Sequence, residues 1–303
     1  MVQKSFSVFF EKKISNFNKA ITIDSDKSIS IRSFLIGAIS HDISELNNIL
    51  ESEDVFSTIK CLKKLGVKIK KNKPQKYQVF GKGLGSLYIN SNNTLDFGNS
   101  GTLARLLIGI LSTTPEIKVR IKGDKSLNKR NMFKLINTMN QFGAEFSPKN
   151  KFNFPLILKS SSIPIAINYN SGISAQLKSA VILAALNSYG NTVIQELKES
   201  RNHTENFLLE SKNVLKIKKN KKKLNLLTIS GKKYLKPLNV KVPGDPSSSA
   251  FFAALTLLNK NSVIKIKNVG LNPRRIGFYK LLKKHGAKIF FKNMKKNNNE
   301  LIG

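Results

Sequence analysis

The chain has 303 residues, 40% of them hydrophobic, and a formal net charge of +34. This length and apolar content suit two domains with their own cores and exclude a disordered chain, while the longest apolar runs, Val181–Leu186 and Phe251–Leu258, fall far short of the roughly 18 residues of a membrane-spanning helix. Of the 52 basic residues only seven are arginine, and the lysines are spread along the whole chain rather than gathered on one element with interleaved aromatics, which argues against a nucleic-acid-binding module.

In chain order, the opening residues carry Lys4, Glu11, Lys12 and Lys13 beside a short phenylalanine-rich run, without the order of a secretory signal, so a cytosolic protein is expected. Ile21–Ala38 then reads as a β-like run, a turn of small and polar residues, and an apolar helix. A second, more polar helix is expected over Asp54–Leu65, ending at Gly66 as a left-handed C-terminal cap requires. Cys61 lies in it as a packing residue. It is the only cysteine, so no intramolecular disulfide or thiolate metal cluster can form. Gly81–Gly85 has neither the composition nor the setting of a phosphate-binding loop and is read as a turn between short strands.

The pattern recurs. Leu95–Leu111 is followed by a polar helix over Asn131–Phe142 that ends at Gly143; Ile165–Leu186 by His203–Leu209; and Val240–Leu258 by Arg275–His285, ending at Gly286. Ser28, Ser100, Ser174 and Ser247, the serines of the four turns, stand 72, 74 and 73 residues apart. The repeating unit is therefore β-α-β-α-β-β with one strongly apolar helix per copy. Lys216–Lys223, the densest basic run, is expected at a solvated hairpin tip. His41, His203 and His285 are too dispersed for a metal site, and His203 is read as support for a helix start.

An apolar helix in each of several related units must be buried by its siblings, so the copies should cluster with helices inside and sheets outside. Three copies make one domain, residues 25–241. The fourth begins where the chain crosses over at Val240–Pro243 into a second domain, residues 242–303, which also takes the opening strands, residues 1–24. Ala20–Ser25 is the matching first crossing, and two adjacent crossings make a hinge.

Six stretches carry a specific likeness: Asp26-Lys27-Ser28-Ile29-Ser30 with Arg32; Leu95–Thr102 with Arg105; Gly123-Asp124 with Ser126-Leu127 and Lys129-Arg130; Ser174-Ala175-Gln176 with Lys178-Ser179-Ala180; Arg201 with His203-Thr204-Glu205; and Val242–Ser248. In this order they resemble the EPSP synthases, class II branch, within the enolpyruvyl transferases. The resemblance implies an α/β fold, an inside-out α/β barrel of two domains with three units each. Only four units stand in this sequence. The resemblance places the general-base aspartate, a Lys-Glu-Ser-Asp-Arg segment and a later arginine in the other two, so shikimate-3-phosphate binding with negligible turnover is expected of these residues alone.

The implied activity moves the enolpyruvyl group of phosphoenolpyruvate to the 5-hydroxyl of shikimate-3-phosphate, with no metal or organic cofactor, in a cytoplasmic enzyme that has no nucleic-acid or membrane partner and is monomeric when complete. Two phosphates and two carboxylates then share a cleft, and cationic donors in fixed geometry must hold them. The general positive field would draw such anions in. A guanidinium fork cannot be replaced by an ammonium at a bidentate site, so in a lysine-rich chain each arginine is informative. By the resemblance, Arg32 and Arg201 hold shikimate-3-phosphate, Arg130 with Asn99 and Gly101 faces phosphoenolpyruvate, and Lys27 touches both substrates and takes part in proton transfer. Ser28, Ser174 and Gln176 give neutral hydrogen bonds and Ala175 gives backbone. Gly101 leaves room for a small anion, which implies sensitivity to glyphosate. Asp24-Ser25, Ile31 and Asn131 depart from the family's Pro-Gly, His and Pro. The alternatives are the sister transferase acting on UDP-N-acetylglucosamine, disfavoured by Asp26-Lys27-Ser28 with Arg32 and by the lack of a loop cysteine, and a decayed, non-catalytic polyanion-binding paralogue.

Overall fold

The apolar helix of every unit starts at a side-chain cap, which satisfies an N–H that the helix itself cannot. In the computed structural model, which describes residue 9 and residues 14–90, 94–220 and 224–303, Asp26 Oδ1 accepts from Ile29 N at 2.9 Å and Asp245 Oδ1 from Ser247 N at 2.7 Å. Ser100 Oγ and Ser174 Oγ accept from Leu103 N and Leu177 N, each at 3.3 Å. The regular serine spacing is thus a spacing of helix starts rather than of equivalent positions. Ser100 and Ser174 are caps, whereas Ser28 and Ser247 lie inside the first turn, just past the aspartate caps. The opening lysines and Lys221–Lys223 of the expected hairpin tip lie outside the described residues.

The first unit runs β1 (Asn18–Ile21), α1 (Lys27–Ile39), β2 (Ile43–Asn47), α2 (Glu53–Lys64), β3 (Lys68–Lys73) and β4 (Lys76–Phe80). The second has β5 (Thr94–Asp96), α3 (Gly101–Thr113), β6 (Lys118–Lys122), a single turn α4 (Lys125–Asn128), α5 (Phe133–Gln141), β7 (Glu145–Ser147) and β8 (Leu156–Lys159). The third has β9 (Asn168–Ser171), α6 (Ala175–Ala185), β10 (Asn191–Glu196), α7 (His203–Leu208), β11 (Leu215–Lys219) and β12 (Asn225–Ser230). The fourth has β13 (Asn239–Lys241), α8 (Pro246–Leu258), β14 (Val263–Ile266), α9 (Gly277–Lys284), β15 (Lys295–Asn297) and β16 (Glu300–Ile302). Gly66, Gly143 and Gly286 follow α2, α5 and α9 at φ of 80°, 91° and 91°, the left-handed region expected of them.

The second and third units build four-stranded sheets of one pattern, β5-β6-β8-β7 and β9-β10-β12-β11, in which the first two strands are parallel and the rest antiparallel. The first unit makes the same sheet with a borrowed strand. β13 pairs parallel with β2, while β1 pairs parallel with β14 of the fourth unit. The chain therefore crosses over twice, and the crossings touch: Asp26 N donates to Pro243 O at 2.8 Å and Asp245 N to Asp24 O at 2.9 Å.

Helices α1, α3 and α6 are buried almost throughout, and their Ile, Leu, Phe and Ala side chains form one continuous core with the inner faces of the three sheets. Such burial leaves no room for a solvated polar face, so these helices are apolar apart from a few residues with internal partners, Arg32, Arg105 and Lys178 among them. Helices α3 and α6 pack closely at Gly109, where an added Cβ would stand 2.4 Å from Ala180 O; only glycine fits this contact.

The fourth unit differs. Only Pro246 and Ser249 of α8 are buried, and Phe251 and Leu258 are 79% and 86% exposed. Nor does this unit close near Ile289, as its sequence pattern suggests. The hairpin β15-β16 follows, and Gly303 returns to Val269, whose N–H donates to Gly303 O at 2.8 Å. Two-residue alternation is too short there to have been read as strand.

Candidate active site

Helices α1, α3 and α6 start on the same side of the core, and the side chains at their starts are tied together. None of the three has an acidic residue in its first turn. At α3 and α6, capped by neutral serines, unpaired N–H groups and the positive dipole end are left for an external anion, whereas the Asp26 carboxylate already stands at the α1 start. This differs from α2, whose first turn carries Glu53 and Asp54.

One cluster joins α3 to α6. Arg130 Nη2 donates to Asn99 Oδ1 at 2.6 Å. Arg105 Nη1 donates to Gly101 O at 3.0 Å and to Gln176 Oε1 at 2.9 Å, and Gln176 Nε2 donates onward to Thr102 Oγ1 at 2.9 Å. Gly101 sits between the two guanidinium groups, so that a Cβ built there would lie 2.8 Å from Nη1 of both Arg105 and Arg130. Burial lowers the pKa of Arg105 below its ordinary value, with the nearby charge of Arg130 adding to the shift. Two like charges held together and partly desolvated are stabilised by a bound anion. Beside them a cleft of about 330 Å³ is lined in part by Arg105, Asn131, Phe133, Ser174 and Leu177.

The second cluster joins α1 to α6 and α7. Arg32 is buried in the second turn of α1. Its Nε donates to Thr204 Oγ1 at 3.0 Å, Nη1 to Ser28 O at 3.0 Å and Nη2 to Ser179 Oγ at 3.2 Å. Burial brings its pKa down to about 10, against the opposing pull of Asp26 and Glu205. Arg201 is exposed just before α7, its pKa lowered by burial of part of the side chain and by Arg275. Lys27 Nζ is half exposed and lies 3.1 Å from Asp54 Oδ2. Ala175 is the first residue of α6, one past the Ser174 cap. The expected residues thus fall into two groups that share α6: Asn99, Gly101, Arg130 and Gln176 on one side, Ser28 and Arg32 on the other, with Lys27 held at the α1 start by Asp54.

Beneath α6, Lys178 Nζ lies 2.6 Å from Glu196 Oε1 and 2.6 Å from Glu205 Oε1. Burial raises the pKa of Glu196, but hydrogen bonds from Lys178, Ser200 and Asn225 outweigh it and leave a net lowering. Sequence reasoning placed Lys178 and Glu205 in motifs without assigning them this interior ion triad. It also missed Asp54, Thr204 and Ser179 as partners of the predicted cations. The one available signal was the polarity of Lys178 and Ser179 at consecutive positions in an otherwise apolar helix.

His203 is the first residue of α7, but its ring turns to the fourth unit rather than to the helix start. Its ring is buried between Glu300 Oε1, 2.6 Å from Nδ1, and Arg275 Nη1, 3.2 Å from Nε2. Cys61 is buried with its thiol pKa pushed up to about 12 by desolvation, which makes it a packing residue. Among the described residues no cluster of His, Cys, Asp and Glu could hold a metal ion, and no helix is long and apolar enough to cross a membrane. A larger cavity of about 590 Å³ lies against the crossings, lined in part by Lys241, Lys267, Lys295 and Lys296; it contains none of the clustered arginines.

Four α/β units, three of them packing their apolar helices into one shared core with arginines near the helix starts, have the fold of the enolpyruvyl transferase class. A family profile, EPSP synthase (3-phosphoshikimate 1-carboxyvinyltransferase), matches residues 11–302, and the chain belongs to that family. It is 38% identical over 270 residues to the 3-phosphoshikimate 1-carboxyvinyltransferase of Novosphingobium aromaticivorans, covering 89% of this chain and 61% of that protein. To the protein of the same name from Caldicellulosiruptor saccharolyticus it is 41% identical over 287 residues, covering 93% and 64%. The solved structure of EPSP synthase from Acinetobacter baumannii superposes with a TM-score of 0.84 at 31% identity, over 95% of this chain and 63% of that one. The chain spans 61% to 62% of the length of the first three curated relatives it matches.

Proposed function

We propose that this chain supplies the shikimate-3-phosphate site, and one wall of the phosphoenolpyruvate site, of a transferase that moves the enolpyruvyl group of phosphoenolpyruvate to the 5-hydroxyl of shikimate-3-phosphate. Shikimate-3-phosphate is held by Lys27, Ser28, Arg32, Ser174, Ala175, Gln176 and Arg201, and phosphoenolpyruvate by Lys27, Asn99, Gly101 and Arg130. Lys27 also moves a proton. Residues 25–241 form the upper domain, and residues 1–24 with 242–303 belong to a lower one. The setting is the cytoplasm, and the complete transferase acts as a monomer.

The observation that carries this reading is the convergence of two guanidinium groups on buried Gly101, each 2.8 Å from where a side chain would begin. A carboxylate or phosphate placed there meets two planar donors and the α3 start at once. Helix α6 adjoins both this wall and the Arg32 cluster, which supports two neighbouring anion sites, as a reaction between two phosphorylated acids requires.

Titration calorimetry of the purified 303-residue chain tests it. Shikimate-3-phosphate should bind, and Lys27→Met and Arg201→Ala should each weaken it about tenfold or more, the loss of a charge-assisted hydrogen bond. A folded chain that ignores shikimate-3-phosphate, prefers UDP-N-acetylglucosamine, or binds DNA with a steep salt dependence would overturn the assignment.

A further inference from the structure

The fourth unit reaches back into the candidate site through one buried side chain that the reading above does not use. Arg275, just before α9, is almost fully buried; its Nη1 lies 2.8 Å from Asp26 Oδ2 and its Nη2 lies 2.9 Å from Asp245 Oδ1. Nη2 also donates to Ser247 Oγ at 2.9 Å, and Nη1 faces His203 Nε2 at 3.2 Å. Asp26 caps α1 immediately before Lys27, and Asp245 caps α8 at the second crossing. One guanidinium therefore holds the caps that follow both crossings, and a planar fork is the side chain that can do so.

Its surroundings are fixed in turn. Glu300, on the C-terminal hairpin, receives hydrogen bonds from His203, Asn206 and Asn272. Arg274 beside it donates to Ser200 O at 2.7 Å and lies 3.3 Å from Glu196 Oε1, which grips the loop that presents Arg201. Nothing in a substrate-binding role requires Arg275 itself, since both of its faces are occupied by protein.

We propose that Arg275 is a positioning residue: by holding Asp26 and Asp245 together it locks the two chain crossings in register and orients the α1 start that carries Lys27 and Ser28. This rests on the proposed shikimate-3-phosphate site for its consequence, but not for the lock. Cutting the lock frees both crossings together and lets Lys27 swing away from the position that Asp26 sets.

Hydrogen exchange followed by NMR on the full chain tests the lock without any ligand. In Arg275→Gln the amides of Asp26 and Ile29 at the first crossing and of Asp245 and Ser247 at the second should all exchange about tenfold faster or more, while those of Leu103 and Leu177, which sit at the other caps, stay within about twofold. Arg275→Lys, which keeps the charge but can serve one carboxylate at a time, should fall between and keeps the test open if the glutamine variant folds poorly. Acceleration at one crossing alone, or at neither, overturns the proposal. The consequence is read by shikimate-3-phosphate titration. Arg275→Gln should weaken binding about tenfold in the wild-type background and by less than about twofold in Lys27→Met, because non-additivity marks action through Lys27. An equal loss in both backgrounds would mean general loosening and overturn the positioning role. If the wild-type chain does not bind shikimate-3-phosphate, the proposed function falls and the exchange data alone decide the lock.

Discussion

Lys178 Nζ meets Glu196 Oε1 at 2.6 Å with the two side chains 0% and 1% exposed, an ion pair sealed beneath the helix that opens with Ser174. Glu205 shares the same ammonium, and its second oxygen, Oε2, has no hydrogen-bond partner among the described residues. Two carboxylates share this cation, and among the described residues only Glu196 has a second one, Arg274 at 3.3 Å. Lys178→Met preserves the shape but leaves both buried without it, which should destabilise the chain by about 3–5 kcal/mol. Urea denaturation checks this; a loss under about 1 kcal/mol would show that the carboxylates find other partners.

Gly101→Ala tests the phosphoenolpyruvate wall. The new methyl would come 2.8 Å from the ends of Arg105 and Arg130, which are flexible enough to move. The fold should therefore tolerate it, with a thermal midpoint close to that of the wild type. Displaced forks should weaken phosphoenolpyruvate or glyphosate binding, measured with shikimate-3-phosphate present, about tenfold, the worth of one charged hydrogen bond. Shikimate-3-phosphate alone should lose less, since of its proposed contacts only Gln176 is bonded to a displaced fork while Arg32 is held elsewhere. Unchanged glyphosate binding would count against the assigned wall.

Acid stability should depend on Glu51. Its carboxylate lies 2.8 Å from Lys71 Nζ and accepts from Gln75 N at 2.9 Å and Tyr77 Oη at 2.7 Å. The hydrogen bond from Lys71, helped by those from Gln75 and Tyr77, brings its pKa from 4.5 down to about 2 against a smaller desolvation effect. A pKa lowered by folding contributes stability that is fully present above the unfolded value and is lost as pH falls through the folded value. Wild type should therefore exceed Glu51→Gln in stability at pH 6, and the gap should shrink between about pH 4.5 and pH 2. Denaturation midpoints at pH 6 and pH 3 give the comparison, and a gap independent of pH would refute it.

The uncovered face of α8 should drive self-association. Phe251, Leu257 and Leu258 are exposed on one helix, and Phe278, Leu281 and Phe290 are exposed nearby in the same unit. Contiguous apolar surface of this kind associates in water. Sedimentation velocity should show concentration-dependent assembly of the wild type that is reduced in Phe251→Glu with Leu258→Glu. Identical profiles would mean the face is inert.

Much of the architecture was legible because it is written in local chemistry. Aspartate or serine before an apolar run marks a helix start, glycine after a polar helix marks its end, and the repetition of both along the chain exposes the unit. The crossings were legible because the fourth copy begins with the same strand-and-turn pattern as the first. What resisted reading was any partner chosen by the tertiary fold. Arg275 and Asp26 meet across 249 positions, and no local pattern announces it. In a chain so rich in lysine, Lys178 could not be told from a solvated neighbour until its helix was seen to be wholly enclosed. The serine register misled because serine and aspartate cap equally well, so that one spacing joined positions with two different jobs.

The borrowed strands set a timetable for biosynthesis. Asn18 pairs with Val263, and Phe17 N donates to Ser262 Oγ across 245 positions, so β1 must wait until β14 has been made before it has its strand neighbour. At translation rates of about 5–20 residues per second that wait is on the order of 10–50 seconds. During it the first sheet also lacks β13 at one edge and presents β2 unpaired there. Emerging chains therefore carry an open ladder that chaperones or slow growth temperatures would protect, and the yield of native protein should respond to elongation speed.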